Sequence, residues 1–258
     1  MFGAHLGFKV IIVITGGMSA ERMKAIQAFG AEIVYVPGGE SDVDLALKKA
    51  KEIVASDPDR YFFVDQFNNP ANVEAHYETT GPEIWEQTGG KIDAFVATAG
   101  TGGTITGVGR FLKEKNPNIK VYVAEPAECP LLSKQQWGSH RIEGIGDGFI
   151  PSILDLSVLD GVITVSSAEA IETAKMLIRE EGLFVGISSG ANVRCCFKLH
   201  QKHPELKRIV TMLNDHAFRY FSTPLFGKEK ELRIPERPHP VEITPEQQKH
   251  LKRLEVIE

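Results

Sequence analysis

The most constraining stretch of this 258-residue chain runs from Ala94 to Lys113. Ala94-Phe95-Val96-Ala97-Thr98-Ala99 has the composition of a strand buried on both faces. It leads directly into Gly100-Thr101-Gly102-Gly103-Thr104 and then into a helix-compatible stretch, residues 105–113. Strand, glycine turn and helix in immediate succession place a helix N-terminus beside the carboxyl end of a strand, the arrangement of open α/β sheets. Such a turn is also suited to an anion. Residues without Cβ let several backbone N–H groups converge, and the hydroxyls of Thr101 and Thr104 add donors. The competing reading is a tight turn that binds nothing; the three glycines and two threonines favour phosphate.

The rest of the chain repeats the alternation. Short runs rich in Val, Ile and Phe predict strands over 9–15, 32–36, 61–65, 92–98, 120–125, 161–165 and 208–213. Between them, Ser19 can cap a helix over 20–29, and Ser41 with Asp44 resembles a capping box for a helix reaching about residue 55. Ser166 and Glu169 repeat that signature. Ile171, Ala174, Leu177 and Ile178 then share one helical face, and Gly182 supplies the stop. This pattern is α/β with a mainly parallel sheet.

Composition removes several function classes. The formal charge of −5 and pI of 5.9 argue against a surface built to neutralise nucleic-acid backbones. The apolar run 10–14 is far shorter than the roughly 20 residues a membrane span requires, and no basic leader precedes it. The three cysteines, Cys129, Cys195 and Cys196, have no ligand or disulfide spacing. Together with the absence of a leader they imply a reducing, cytoplasmic setting. Cys195 and Cys196 read as buried small apolar residues, and Cys129 has no electropositive neighbour to activate it. The eight histidines show no metal spacing.

Two common owners of a bound phosphate fail on spacing. A dinucleotide fingerprint needs a third glycine where Ile105 stands, although Glu125 lies near the place of a ribose-binding acid; it reads more simply as a strand-end residue. A P-loop needs Gly-Lys-Ser/Thr, whereas Val108 follows Gly107.

Several segments, taken in order, resemble the cysteine synthase and cystathionine β-synthase branch of the fold-type II pyridoxal-phosphate (PLP) enzymes. They are Met18-Ser19-Ala20-Glu21-Arg22, Asp65-Gln66-Phe67-Asn68-Asn69-Pro70-Ala71-Asn72, Thr79-Thr80-Gly81-Pro82-Glu83-Ile84-Trp85, the 100–104 loop, the run from Ile142 through Gly144 and Asp147 to Pro151, Gly186-Ile187-Ser188-Ser189-Gly190-Ala191, and Arg219-Tyr220-Phe221-Ser222-Thr223. The resemblance implies a two-lobed, three-layer α/β sandwich like the tryptophan synthase β chain, with lobes at 1–67 and 68–226 and a C-terminal tail at 227–258. Gly100, Thr101, Gly102, Gly103 and Thr104 would hold the PLP phosphate, and Ser188 would meet the pyridine nitrogen. Gln66 and Gly144 would border the substrate. On their own, Ser188 reads equally as a helix N-cap, and Gln66 and Gly144 as turn residues.

The implied reaction is β-replacement, forming L-cysteine from O-acetyl-L-serine and sulfide. Cystathionine or O-phosphoserine chemistry, or a non-catalytic paralogue that binds PLP, phosphate or a partner, are the alternatives. The family's homodimer and its serine acetyltransferase partner are implied with it. The family's Schiff-base lysine and the Thr/Ser-Gly-Asn-Thr-Gly-type carboxylate loop precede every matching segment and do not occur in this sequence. Lys9, Lys24, Lys113 and Lys115 read as solvated residues rather than substitutes. The expectation is therefore an N-terminally truncated chain that holds PLP non-covalently at most, has no assigned catalytic residue and is fragile in isolation. A cooperative, monomeric thermal transition would contradict that fragility. Asn214-Asp215-His216 stands where the family usually has a Pro-Asp-Ser-Gly-like segment, which leaves the ring side of the site less well specified than the phosphate side.

Overall fold

The computed structural model describes residues 1–16, 18–227 and 241–258. A short helical turn, α1 (Phe2–His5), precedes β1 (Ile11–Thr15), α2 (Ala20–Ala28), β2 (Glu32–Val36) and α3 (Val43–Ser56). β1 and β2 pair in parallel as a two-stranded sheet of their own. Three helical turns follow: α4 (Ala71–Ala75), a π turn (His76–Thr80) and α5 (Gly81–Gln87). The main unit is then β3 (Ala94–Thr98), α6 (Gly103–Lys115), β4 (Lys120–Pro126), β5 (Gly161–Val165), α7 (Ser167–Glu180), α8 (Ile187–Lys202) and β6 (Ile209–Thr211). α9 (Pro245–Leu251) and β7 (Glu255–Ile257) close the chain. The larger sheet has the order β6-β3-β4-β5-β7, and every pairing in it is parallel.

Strand periodicity divides the core into two layers. Ala94, Val96, Tyr122, Ala124, Ile163 and Val165 face α7 and α8, where Ala170, Ala174, Ala191 and Leu199 meet them. The intervening residues Phe95, Ala97, Val121, Val123 and Val162 face α6 through Ile105, Val108 and Leu112. Both faces are covered, so the central strands β3, β4 and β5 are buried along almost their whole length and mainly apolar, and the result is a three-layer α/β sandwich. The capping box of Ser166 and Glu169 forms as the sequence implies, each side chain taking the other's backbone N–H.

The structure departs from the sequence reading in three places. Ser41 and Asp44 form no capping box: Asp42 is the residue preceding the first turn of α3, and the Ser41 hydroxyl donates to the Gly138 carbonyl instead. Residues 61–65 keep the alternation of a strand, yet they pair with no strand among the described residues, and Phe62 is 85% exposed. The end of the chain is less loose than its charged composition suggests. β7 adds the edge strand beside β5, and Leu251, Leu254 and Ile257 are buried. The Pro-rich passage read at 234–245 lies mostly outside the described residues. Among the described residues no helix is long and apolar enough to cross a membrane.

The small sheet's unit is tied to the large one at two places. Trp137 Nε1 donates to the Ser41 carbonyl at 3.0 Å, and Ser41 Oγ donates to the Gly138 carbonyl at 2.9 Å. Arg22 of α2 donates to Tyr220 Oη at 2.7 Å, pairs with Glu143 at 2.9 Å and covers the Tyr220 ring.

Ile257 is 4% exposed on a strand made by the last few residues, so Ile257→Ala should lower the unfolding free energy by about 2–5 kcal/mol. Urea denaturation checks this; an unchanged midpoint would mean that β7 contributes nothing to the core.

Candidate active site

The 100–104 loop lies at the carboxyl end of β3, and its glycines are dictated by close packing. A Cβ on Gly100 would come within 2.5 Å of the Gly144 carbonyl oxygen, and one on Gly103 would overlap the Asn72 side chain. Gly102 has φ +84°, a left-handed conformation that favours glycine, and it lies against Leu154. The constraint brings Gly144, itself at φ +89°, and Asn72 against the loop. Asn72 Nδ2 donates to Thr101 Oγ1 at 3.0 Å and to the Gln66 carbonyl at 2.9 Å. The Gln66 backbone is thereby joined to the loop, and its side chain is exposed.

The loop also has the donor chemistry of an anion seat. Among the described residues, no protein acceptor pairs with the backbone N–H of Gly100, Thr101, Gly102 or Thr104, and the N-terminus of α6 points its dipole at the same place. The Gly103 N–H is shared with Thr101 Oγ1 at 3.3 Å.

Ser188 belongs to the same end of the sheet. It lies in the first turn of α8, whose N-cap is Gly186, so it is not itself the cap. Asn214, just past β6, donates through Nδ2 to Ser188 Oγ at 3.1 Å and to Thr98 Oγ1 at 3.3 Å, and its backbone N–H donates to Ser189 Oγ at 2.9 Å. Asn192 is fully buried. It accepts from the Thr98 N–H at 2.7 Å and donates to the Met212 carbonyl at 2.8 Å, which fixes β3 and β6 to α8. Four segments distant in sequence thus converge: the glycine loop, the 144 turn, the Gln66–Asn72 turn and the Ser188–Asn214 pair.

Residues 1–215 match the model of a family described as pyridoxal-phosphate dependent enzymes. The chain belongs to this family. Cysteine synthase A of Escherichia coli is 45% identical over 242 residues, covering 89% of this chain and 74% of the relative. Cysteine synthase B of Campylobacter jejuni is 50% identical over 227 residues, covering 88% and 75%. An O-ureido-L-serine-bound mutant of O-ureido-L-serine synthase superposes with a TM-score of 0.84 at 36% identity, covering 90% of this chain and 71% of that one. The architecture is that of fold-type II PLP enzymes, and the chemistry typical of such relatives is PLP-dependent β-replacement.

The site fits PLP on its own evidence, since unpaired N–H groups suit a phosphate and a neutral hydroxyl suits a pyridine nitrogen. The lysines weighed from the sequence are either engaged by other groups or exposed. Lys113 is held by Asp160 at 2.7 Å and the Ile119 carbonyl at 3.2 Å, Lys115 covers the Phe111 ring, and Lys9 and Lys24 are exposed. Glu125 accepts from the N–H groups of Leu132 and Ser133, so it organises the loop after β4 and has no ribose-like role. Burial raises the thiol pKa of Cys129 and Cys195 and pushes that of Cys196 up to about 12, leaving none of them activated. Among the described residues no cluster could hold a metal ion.

Sequence reasoning assigned nothing to Asn72, Asn192 or His140. Asn72 stood inside a quoted motif, which was the one available signal. His140 is 7% exposed; its Nδ1 accepts from the Ile142 N–H at 3.2 Å and its Nε2 donates to the Gly146 carbonyl at 3.1 Å. These bonds fix the neutral ring that shapes the 144 turn.

Burial holds His140 below the ordinary histidine value of 6.5 in the folded chain, so the unfolded chain takes up its proton first. The resulting stability is complete above the unfolded value and is lost as pH falls from there toward the lowered folded value. The melting temperature should therefore drop as pH falls below the ordinary histidine value of 6.5, and less so in His140→Gln. Equal drops in both proteins would exclude His140 as a source.

Proposed function

We propose that this chain acts on an O-acetylserine-like amino acid, exchanging its β-substituent for sulfide to give L-cysteine. The carrying observation is the donation from Asn214 Nδ2 to Ser188 Oγ at 3.1 Å, beside the glycine loop. It leaves the Ser188 hydroxyl hydrogen for a pyridine nitrogen. When bound, PLP supplies an electron sink, and a ring met by a neutral hydroxyl is a weaker sink than one paired with an acid. A weaker sink suits reactions in which a β-leaving group departs early.

The chain's own residues divide the work of binding. Gly100, Thr101, Gly102, Gly103 and Thr104 hold the phosphate through backbone N–H groups and hydroxyls, as the helix terminus favours. Ser188 fixes the ring, and Gln66 and Gly144 border the substrate. The cofactor is held without a covalent bond to Lys9, Lys24, Lys113 or Lys115, and the acceptor of the substrate's α-proton is unassigned among the described residues. We place the lobes at 1–67 and 68–226, the tail at 227–258 joining the larger lobe through β7. A cytoplasmic homodimer able to engage serine acetyltransferase accompanies this reading.

PLP-saturated protein should form cysteine from O-acetylserine and sulfide faster than from O-phosphoserine, and should form no cystathionine from serine and homocysteine. The reverse order would reassign the substrate, and PLP binding without turnover of any of them would favour the non-catalytic reading. Gly103→Ala should abolish PLP binding, because the Cβ meets Asn72. Borohydride reduction followed by intact-mass measurement should give no stoichiometric adduct; a single labelled lysine would overturn the non-covalent part of the proposal.

A further inference from the structure

The C-terminal end of α8 meets the strand that closes the chain, at the far end of the helix from Ser188. His203 is the C-cap of α8, where the helix carbonyls favour a positive charge. It stands between two carboxylates: Nδ1 is 3.0 Å from Glu205 Oε1, and Nε2 is 3.0 Å from Glu255 Oε2. A neutral imidazole has one N–H and one lone pair, so it donates to only one of these partners; the imidazolium donates to both. Burial opposes the charge, but the bonds to Glu205 and Glu255 outweigh it and hold His203 above the ordinary histidine value of 6.5.

Glu255 is the first residue of β7, and its carboxylate ties that edge strand to two elements. Tyr122 Oη of β4 donates to Oε2 at 2.9 Å, and Lys202 Nζ, in the last turn of α8, lies 3.0 Å from Oε1. Burial, with Glu255 beside it, raises the Tyr122 phenol above its ordinary value of 10, so it remains a donor where histidine titrates. Asp160, the other acid near Tyr122, is paired with Lys113 at 2.7 Å and with Lys120 at 3.5 Å. Lys198 is held by Glu169 at 3.2 Å, Glu258 by Lys134 at 2.7 Å, and His200 faces the Leu206 carbonyl at 3.1 Å. Histidine is the side chain whose charge changes near neutral pH, and His203 is the histidine on Glu255. β7 also lies beyond residues 1–215, the part of the chain that the family model matches.

We propose that His203 is a proton-operated latch for the C-terminal edge strand. Charged, it clamps Glu255 against Tyr122 and α8, so that β7 covers the edge of β5. Loss of the proton removes one of its two carboxylate bonds and the charge behind the other, and β7 then opens more often, uncovering that edge while the rest of the sheet stays folded. The sign follows from the raised value: the contribution is complete below about pH 6.5, the value in the unfolded chain, and is lost as pH rises through the higher folded value. His140, lowered by burial, acts in the opposite direction.

Hydrogen exchange of the full chain, expressed as protection relative to the free-peptide rate at each pH, tests the latch. Protection of the 255–257 amides should fall about tenfold between pH 6 and pH 9, the weight of one charge-assisted hydrogen bond, while β3 and β4 keep theirs. In His203→Gln, whose amide donates but does not titrate, protection should be lower at pH 6 and constant up to pH 9. Glu255→Gln should flatten the same profile and lower the His203 pKa measured by NMR. Loss of protection in β3 and β4 identifies a variant that fails to fold, and the other variant then decides. Constant protection of 255–257 in the parent chain, an equal fall in His203→Gln, an unmoved His203 pKa in Glu255→Gln, or a fall in the parent shared by β3 and β4 would overturn the proposal.

Discussion

The site depends on how closely backbone can approach backbone at the carboxyl end of β3. A Cβ at Gly100 would meet the Gly144 carbonyl, and one at Gly103 would overlap the Asn72 side chain, so the loop, the 144 turn and the 66–72 turn share one crowded place. In close-packed protein a gap or an overlap of one methyl group is felt. The same crowding that forbids side chains leaves the N–H groups of Gly100, Thr101, Gly102 and Thr104 without protein acceptors among the described residues, which is the donor chemistry an anion requires.

Polar side chains then fix what the crowding brings together. Asn192 joins β3 and β6 to α8 from a fully buried position, Asn214 orients Ser188, and His140 holds the 144 turn. Each satisfies donors and acceptors that would be costly to bury alone. Arg22 reaches from the small sheet's unit to Glu143, next to Gly144, and approaches Asp215, next to Asn214, at 3.7 Å. The two units are therefore linked by residues adjoining the site on both sides.

What the sequence discloses follows from the range of the interactions. Strands 32–36 and 161–165, the Ser166–Glu169 capping box and the glycine loop are set by neighbours within a few residues, and the structure reproduces each. Gly182 has φ +68° just past α7, as its role as a stop implies. The strand read at 61–65 has the right alternation but no partner strand among the described residues, and alternation alone carries no information about pairing. β7 escaped notice because three residues in a charged tail give no period to read, and the sheet edge supplies their order. The polar network was hidden for the same reason: Asn192 meets Thr98 across 94 positions, a contact no local pattern records. Ser188, Gln66 and Gly144 were reached through resemblance, since by themselves they read as cap or turn residues.

The central claim is that backbone N–H groups of the 100–104 loop hold the cofactor's phosphate. Amide chemical shifts of 15N-labelled protein, followed on addition of PLP, test it most directly. The account predicts the largest shifts at Gly100, Thr101, Gly102 and Thr104, smaller ones at Ser188 and Asn214, and loss of the loop shifts when pyridoxal replaces PLP. A different place would contradict it, such as the cleft of about 530 Å3 lined by Arg110, Asp155, Gln247 and His250, if shifts concentrated there while the loop amides stayed still.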